Sequence, residues 1–172
     1  EKTFRHLKFD TYKATRKGMP DELAAQLPIT KQVLDALGVT RCEKAGYEAD
    51  DLLGTISRRA DEHGDTCVVV TGDRDSLQLV GGGTTVMLVS TRMGQTTYQT
   101  YDTAAFREKY GFDPIRLIDL KALMGDSSDN IPGVPGIGEK TAMQLLHDFG
   151  TLEGVYANID DERIKKGART KL

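Results

Sequence analysis

The chain has 172 residues, of which 38% are hydrophobic, and a formal net charge of −3. This length is sufficient for one domain of ordinary size, or for a core with a small appendage. No apolar run approaches the ~20 residues that a bilayer-spanning helix needs, and no signal peptide is recognised, so the sequence predicts a cytoplasmic protein without a membrane partner.

The first part of the chain alternates predicted helices with β-rich segments. Residues 1–18 are charged and weakly periodic, which predicts a loop or an exposed helix, and the apolar spacing over 20–37 predicts a helix. Residues 39–44 are predicted as a short strand and 47–63 as the most regular helix of this part. The run TCVVVT at 66–71 is continuous and β-branched, which predicts a strand buried on both faces of a parallel sheet.

The second part is predicted to be helical. Before it, two β-rich runs at 85–89 and 96–101 predict a hairpin. The predicted helices that follow cover 103–110, 114–124, 140–149 and 152–158. The sequence therefore predicts an α/β core over 1–104, with a mostly parallel sheet, and an all-α part over 105–172. Because such a sheet needs several buried strands and one is clear, we expect further strands upstream of residue 1.

Seven acidic residues form three clusters, each at a turn or at the start of a helix. They are Glu48, Asp50, Asp51, Asp73, Asp75, Asp126 and Asp129. One cluster alone is explained by turn and helix-capping preferences, but three that converge need cations to offset their repulsion. Carboxylates without His or Cys favour Mg²⁺, or Mn²⁺ in its place, over Zn²⁺. Two such ions roughly 3.5–4 Å apart support hydrolysis of a phosphodiester.

A glycine-rich segment, GVPGIGEKTA at 133–142, follows the last acidic cluster. Glycines allow a close backbone approach and positive φ angles, and the segment leads into a helix N-terminus, where phosphates bind. The alternative is a tight turn between helices without a ligand, because patterns of spaced glycines are weak evidence by themselves.

Five stretches, in order, resemble the structure-specific 5′ nuclease domain of bacterial DNA polymerase I and the related flap endonucleases. They are FRH at 4–6, YKATR at 12–16, GYEADD at 46–51, TGDRD at 71–75 and GDSSDNIPGVPGIGEKTA at 125–142. The resemblance covers essentially the whole chain. It implies a three-layer PIN-like α/β core followed by a helix–two-turn–helix subdomain, and a DNA 5′→3′ exonuclease or 5′-flap endonuclease that acts in replication and repair.

The resemblance also implies roles for individual residues. The seven acids match the metal ligands of the family, and Lys13 and Arg16 match basic residues of an arch, here 1–20, that engage the scissile phosphate. The residues that match the duplex-gripping element are Gly133, Val134, Gly136, Ile137, Gly138, Lys140 and Thr141. Carbonyl groups at Gly133, Val134 and Ile137 are implied ligands of K⁺.

The family has two further metal-binding aspartates upstream of the FRH run. Because this chain begins after them, we expect it to bind duplex DNA weakly by itself and to cut it poorly.

The leading hypothesis is a monomeric Mg²⁺-dependent nuclease that acts on DNA with a 5′ end, a flap or an RNA primer junction and is fused to a polymerase domain. A non-catalytic duplex-binding module is one alternative, against which the clustered acids argue. A related PIN-type ribonuclease is another, against which the glycine-rich segment argues.

Overall fold

The computed structural model describes residues 2–172, which form a mixed sheet with helices packed around it. The strands are β1 (Cys67–Thr71), β2 (Thr84–Arg92) and β3 (Gln95–Tyr101). The α-helices are α1 (Phe4–Lys8), α2 (Asp21–Ala36), α3 (Ala49–His63), α4 (Thr103–Tyr110), α5 (Leu117–Met124), α6 (Glu139–Phe149), α7 (Leu152–Ala157) and α8 (Lys166–Arg169). Short 3-10 helices cover Arg74–Leu79 and Pro114–Arg116, so the helix predicted over 114–124 is divided in two.

The sheet has the strand order β1-β2-β3. β1 runs parallel to β2, and β2 pairs antiparallel with β3 from Val86 opposite Tyr101 to Arg92 opposite Gln95. Met93 and Gly94, which join β2 to β3, have φ angles of 50° and 77°. Positive φ at both positions gives a tight turn whose twist matches that of the strands. The predicted hairpin is therefore confirmed, with longer strands than expected.

The strand predicted over 39–44 is wrong, because these residues have no regular structure. Arg41 binds Asp35 at the end of α2 through Nε (2.7 Å) and Glu43 through Nη1 (2.5 Å). The segment is thus held by exposed ion pairs to a helix rather than by a neighbouring strand.

The prediction that the TCVVVT strand is buried on both faces is also wrong. Val69 is 3% exposed, but Val68 and Val70 on the opposite face are 58% and 60% exposed. β1 is an edge strand of the described sheet, and within residues 2–172 only its Val69 face packs against the core. A continuous apolar run therefore does not establish that both faces are covered.

One hydrophobic core joins the sheet to the helices of the second part. Val86 and Tyr101 from the sheet pack in the same cluster as Phe106, Leu123 and Leu146 from the helices, and each of these is at most 1% exposed. This shared core sets the position of the loop after α5 relative to the end of β1. No helix in residues 2–172 is long and apolar enough to cross a membrane.

Candidate active site

The three acidic clusters meet at one edge of the sheet. Glu48 is the N-cap of α3, Asp73 is the N-cap of the 3-10 helix after β1, and the loop after α5 carries the third cluster. A cleft of about 510 Å³ is lined by members of all three clusters. Asp75 and Asp129 also line a second cleft, together with Asp126. The acids of the first cleft are Glu48, Asp50, Asp51, Asp75 and Asp129.

Tyr12 and Lys13 join two of these clusters. The Tyr12 hydroxyl donates to Glu48 Oε2 (3.0 Å) and Asp129 Oδ2 (3.1 Å). Lys13 Nζ lies 2.8 Å from Glu48 Oε1 and 3.8 Å from Asp129 Oδ2. The backbone N–H of Lys13 donates to the Asp129 carbonyl (2.9 Å), which fixes this turn to the acidic loop. Burial raises the pKa of Tyr12 to about 12, so its hydroxyl stays protonated and can donate.

Lys121 joins the other pair of acids. Its Nζ lies 2.9 Å from Asp75 Oδ1 and 2.5 Å from Asp126 Oδ2. Asp126 also accepts hydrogen bonds at Oδ1 from the Ser128 N–H (2.8 Å) and hydroxyl (2.6 Å). Burial by itself raises the pKa of Asp126, but the hydrogen bonds from Lys121 and Ser128 outweigh burial and lower it to about 2. Asp126 is therefore ionised at neutral pH.

Arg5 and Arg16 also bind acids of the site. Arg5 makes a bidentate pair with Asp51 (2.8 and 2.7 Å), and this hydrogen bonding lowers the pKa of Asp51. Arg5 Nη1 also lies 3.9 Å from Glu48 Oε2. Arg16 binds Asp129 Oδ1 through Nη2 (2.5 Å) and the Ser128 carbonyl through Nε (3.1 Å). The two predicted arch residues, Lys13 and Arg16, thus lie among the acids.

Asp50 and Asp73 have no basic side chain within 4.0 Å among residues 2–172. Asp50 contacts the Ser76 hydroxyl (3.4 Å), and its pKa is raised by burial and then by the charge of Asp73. Asp73 accepts from the Asp75 N–H (3.0 Å). These two carboxylates are the part of the site whose charge the protein does not neutralise.

In the part of the chain that the structure describes, no group of three or more His, Cys, Asp or Glu side chains is arranged to hold a metal ion. Instead there are two carboxylate pairs, Glu48 with Asp129 and Asp75 with Asp126, and each pair surrounds one lysine ammonium. Carboxylate oxygens are the ligands that hard divalent cations prefer. The donor chemistry therefore fits such ions, while a lysine lies between the members of each pair.

The glycine-rich turn lies directly against the acidic loop. A Cβ on Gly133 would collide with the backbone of Met124 and Gly125, and the Val134 N–H donates to the Leu123 carbonyl (2.8 Å). Ile137 is buried and its N–H donates to the Val134 carbonyl (3.0 Å).

The end of the turn leads into α6. Gly136 has φ 79°, which favours glycine. Gly138 is the N-cap of α6, and Lys140 and Thr141 in the first turn of that helix are exposed. The predicted DNA-binding residues are thus contiguous in space and adjoin the acids.

The sequence patterns indicated no role for Arg5, Tyr12, Lys121 or Ser128. Arg5 and Tyr12 lie in the FRH and YKATR stretches, so a signal existed for them. Lys121 lies five residues before Asp126 within a helix and shows no distinguishing pattern. Its contact with Asp75 spans distant segments, and that contact is visible only in the fold.

Comparison with known proteins gives two matching family models. The family described as 5′-3′ exonuclease, N-terminal resolvase-like domain, matches residues 1–111, and the family described as 5′-3′ exonuclease, C-terminal SAM fold, matches residues 112–172.

Among curated proteins, DNA polymerase I of Bacillus caldotenax is 48% identical over 170 residues, which cover 97% of this chain and 19% of that protein. DNA polymerase I of Bacillus subtilis (strain 168) is 46% identical over 164 residues, which cover 95% of this chain and 18% of that protein. The chain thus spans about a fifth of the length of these relatives.

Among solved structures, T5 5′-exonuclease with divalent metal ions (zinc) bound aligns with a TM-score of 0.73 at 24% identity, over 99% of this chain and 65% of that chain. The catalytic core of Rad2 in complex with a DNA substrate aligns with a TM-score of 0.59 at 21% identity, over 99% of this chain and 53% of that chain. These likenesses show the fold, an α/β resolvase-like part followed by a helical part.

Proposed function

The chain belongs to the 5′-3′ exonuclease family, and from that premise we propose that it is the 5′ nuclease part of a protein of the DNA polymerase I type. It hydrolyses phosphodiester bonds of DNA at 5′ ends and flaps, including RNA primer junctions, during replication and repair in the cytoplasm. The observation that carries this proposal is the meeting of three acidic clusters at one edge of the sheet, next to the glycine-rich turn.

The acids serve as metal ligands in this proposal. Two Mg²⁺ ions, or Mn²⁺ in their place, would be held by the seven carboxylates and would supply Lewis acidity and an activated water when bound. The pairs around Lys13 and Lys121 show how these carboxylates are kept close together against their mutual repulsion. Tyr12 orients Glu48 and Asp129 by donating to both.

The basic side chains at the acids are proposed to act on the substrate. Lys13 and Arg16 contact Glu48 and Asp129, which are proposed metal ligands, so their charge would offset the negative charge that develops on a phosphate bound at those ions. The two residues are thus proposed to act mainly in the transition state rather than in initial binding.

The helical part grips the duplex. The turn from Gly133 to Gly138 lets a phosphate approach the backbone, and Lys140 and Thr141 add contacts from the first turn of α6. Carbonyl groups of Gly133, Val134 and Ile137 would be the ligands of K⁺ there. We place the division between the α/β core and this part after residue 104, and the protein acts as a monomer.

The test replaces single acids in the parent protein that carries this chain. Asp126→Asn and Asp75→Asn should each lower cleavage of a 5′-flap DNA in Mg²⁺ by more than about a hundredfold, because a misplaced catalytic group has an effect of that size. Duplex affinity should stay within about threefold, because phosphate contacts dominate it. Asp102→Asn is the matched control, since Asp102 caps α4 outside the site.

Wild-type cleavage rates in both site variants would show that these acids are not metal ligands. Duplex binding without any cleavage by the wild-type protein in Mg²⁺ or Mn²⁺ would favour the non-catalytic module. Preference for an RNA strand over a DNA strand of the same sequence would favour the ribonuclease.

A further inference from the structure

We propose that four lysines around the C-terminal segment form a second phosphate-binding surface, which continues from the glycine-rich turn along the backbone of duplex DNA. These residues, which we call the lysine band, are Lys140, Lys165, Lys166 and Lys171. The inference rests on the proposed function and deepens it. Lys140 already belongs to the glycine-rich segment, and the band extends the duplex grip from it to Lys165, Lys166 and Lys171, which lie outside that segment.

The first observation is the pairing of charges in the C-terminal segment. Arg163 binds Asp161 through Nη2 (2.8 Å), and Arg169 lies 3.8 Å from Asp160 through Nη1. Each arginine is thus paired with an aspartate. By contrast, no lysine of the band has a carboxylate within 4.0 Å among residues 2–172.

This pattern is the reverse of the acid site, where Lys13 and Lys121 each contact two carboxylates. Near the band, three acids lack a basic side-chain partner in the described residues, namely Glu139, Asp148 and Glu162, so the four lysines still outnumber them. When a polyanion binds to unpaired ammonium groups, it lowers the electrostatic repulsion between them.

The second observation is that the C-terminal lysines reach the glycine-rich segment, residues 133–142, at two places. Lys140 and Lys165 line the same cleft of about 190 Å³, although 25 positions separate them in sequence. Lys171 Nζ lies over Gly136, so closely that a Cβ on Gly136 would collide with it. A phosphate that approaches the backbone at Gly136 therefore meets the Lys171 ammonium directly.

The third observation is that the segment that carries the lysines is held in place. Ile164 is 1% exposed, and Ala168 and Leu172 pack against the same core. Arg169 Nη2 donates to the carbonyls of Asp161 (2.6 Å) and Ile164 (3.4 Å), which ties α8 to the preceding loop. The backbone of this segment is therefore ordered before binding, and the entropic cost of binding is confined to the lysine side chains.

The chemistry of lysine identifies the partner. An ammonium is a compact point charge without the bidentate geometry that reads base edges, so a band of lysines is suited to phosphates rather than to sequence. The adjoining turn is proposed to hold a duplex backbone, and the band would contact further phosphates of that backbone.

The experiment measures the affinity of the 172-residue chain for a blunt DNA duplex, by fluorescence anisotropy, at several salt concentrations. Lys165→Gln and Lys171→Gln should each weaken binding roughly five- to tenfold near 0.1 M salt. Each should also reduce the slope of log affinity against log salt by about 0.9, and the double variant should show both losses. Lys171→Arg should keep the wild-type slope, because it keeps the charge.

Arg92→Gln at the β2–β3 hairpin is the matched control, since Arg92 is exposed and also lacks a carboxylate partner in residues 2–172. It should leave affinity and slope unchanged. Circular dichroism confirms that each variant is folded.

Unchanged slopes in both lysine variants, with wild-type duplex binding intact, would overturn the lysine band and leave the proposed function standing. An equal loss of affinity for single-stranded DNA would overturn the assignment to duplex. If the wild-type chain binds no duplex even at low salt, both the band and the proposed duplex grip are wrong, while the acid-dependent cleavage test remains independent of this result.

Discussion

At the scale of single residues, Tyr12 connects parts of the candidate site that lie far apart in the chain. Tyr12 is 7% exposed, and its hydroxyl donates to Glu48 and Asp129, which are 36 and 117 positions away. The sequence showed Tyr12 only as a neighbour of Lys13 in the YKATR stretch. Its role as a shared donor follows from the fold.

The first prediction concerns the stability of Tyr12→Phe at high pH in metal-free buffer. Because burial raises the pKa of Tyr12 from 10.0 to about 12, the unfolded chain loses this proton first, and stability falls as pH rises from 10 to 12. Between pH 9 and pH 11 the wild type should lose about 1.4 kcal/mol more unfolding free energy than Tyr12→Phe. Urea unfolding at each pH measures the unfolding free energy, and an equal loss of unfolding free energy in both proteins would contradict the prediction.

The second prediction concerns Lys13 and Arg16 in the parent protein. Lys13→Ala and Arg16→Ala should slow the single-turnover rate at saturating enzyme by about 10²–10³-fold, the range seen when one charge-stabilising donor is removed. Duplex affinity should fall much less. Arg92→Ala is the control for loss of a positive charge elsewhere. If only affinity falls and the saturated rate is unchanged, the two residues position the substrate rather than stabilise the transition state.

At the scale of elements, the local signals in the sequence predicted helices and turns well. Asp102 caps α4 by accepting from the Ala105 N–H (2.8 Å), and Gly111 ends that helix with φ 76°. The hairpin turn at Met93 and Gly94 is likewise determined by its own residues. By contrast, the glycines of the 133–138 turn have different structural roles, which their common spacing did not show.

The third prediction separates two glycines of that turn. Gly133→Ala should lower the unfolding free energy by more than about 2 kcal/mol, because its Cβ would collide with the backbone of Met124 and Gly125, which cannot move aside. Gly138→Ala should change it by less than about 1 kcal/mol, since nothing lies within 4 Å and the effects on chain entropy and helix capping oppose each other. Thermal and urea unfolding measure both, and equal effects would refute the assigned contacts.

At the scale of the whole molecule, β1 is an apolar edge of the described sheet. Its free edge and the exposed side chains of Val68 and Val70 present apolar surface together with unpaired backbone groups. Such an edge promotes association with other chains.

The fourth prediction is that the double variant Val68→Thr, Val70→Thr reduces self-association of the chain with little change in stability. Exposed substitutions of this kind change the unfolding free energy by about 0.5 kcal/mol or less. Val69→Thr is the matched control, and it should destabilise by about 1–3 kcal/mol because Val69 is buried and the hydroxyl would lack a partner. Light scattering across a concentration series tests this, and unchanged association in the double variant would refute it.

The sequence by itself determined the elements whose signals are local, such as α3, the β2–β3 hairpin and the capped helix α4. It also indicated the acids and the glycine-rich segment as candidates for one site, and their roles there remain proposals. These features depend on residues within a few positions of one another, so their preferences are readable from the chain.

Only the tertiary structure decided which carboxylate pairs with which cation. Lys121 lies between Asp75 and Asp126, and Lys171 lies over Gly136, through contacts that join separate segments. It also decided that Val68 and Val70 are exposed although the TCVVVT run predicted burial. The physical reason is that burial and ion pairing depend on what packs across the fold, and the spacing of residues within one segment carries no information about its neighbours in space.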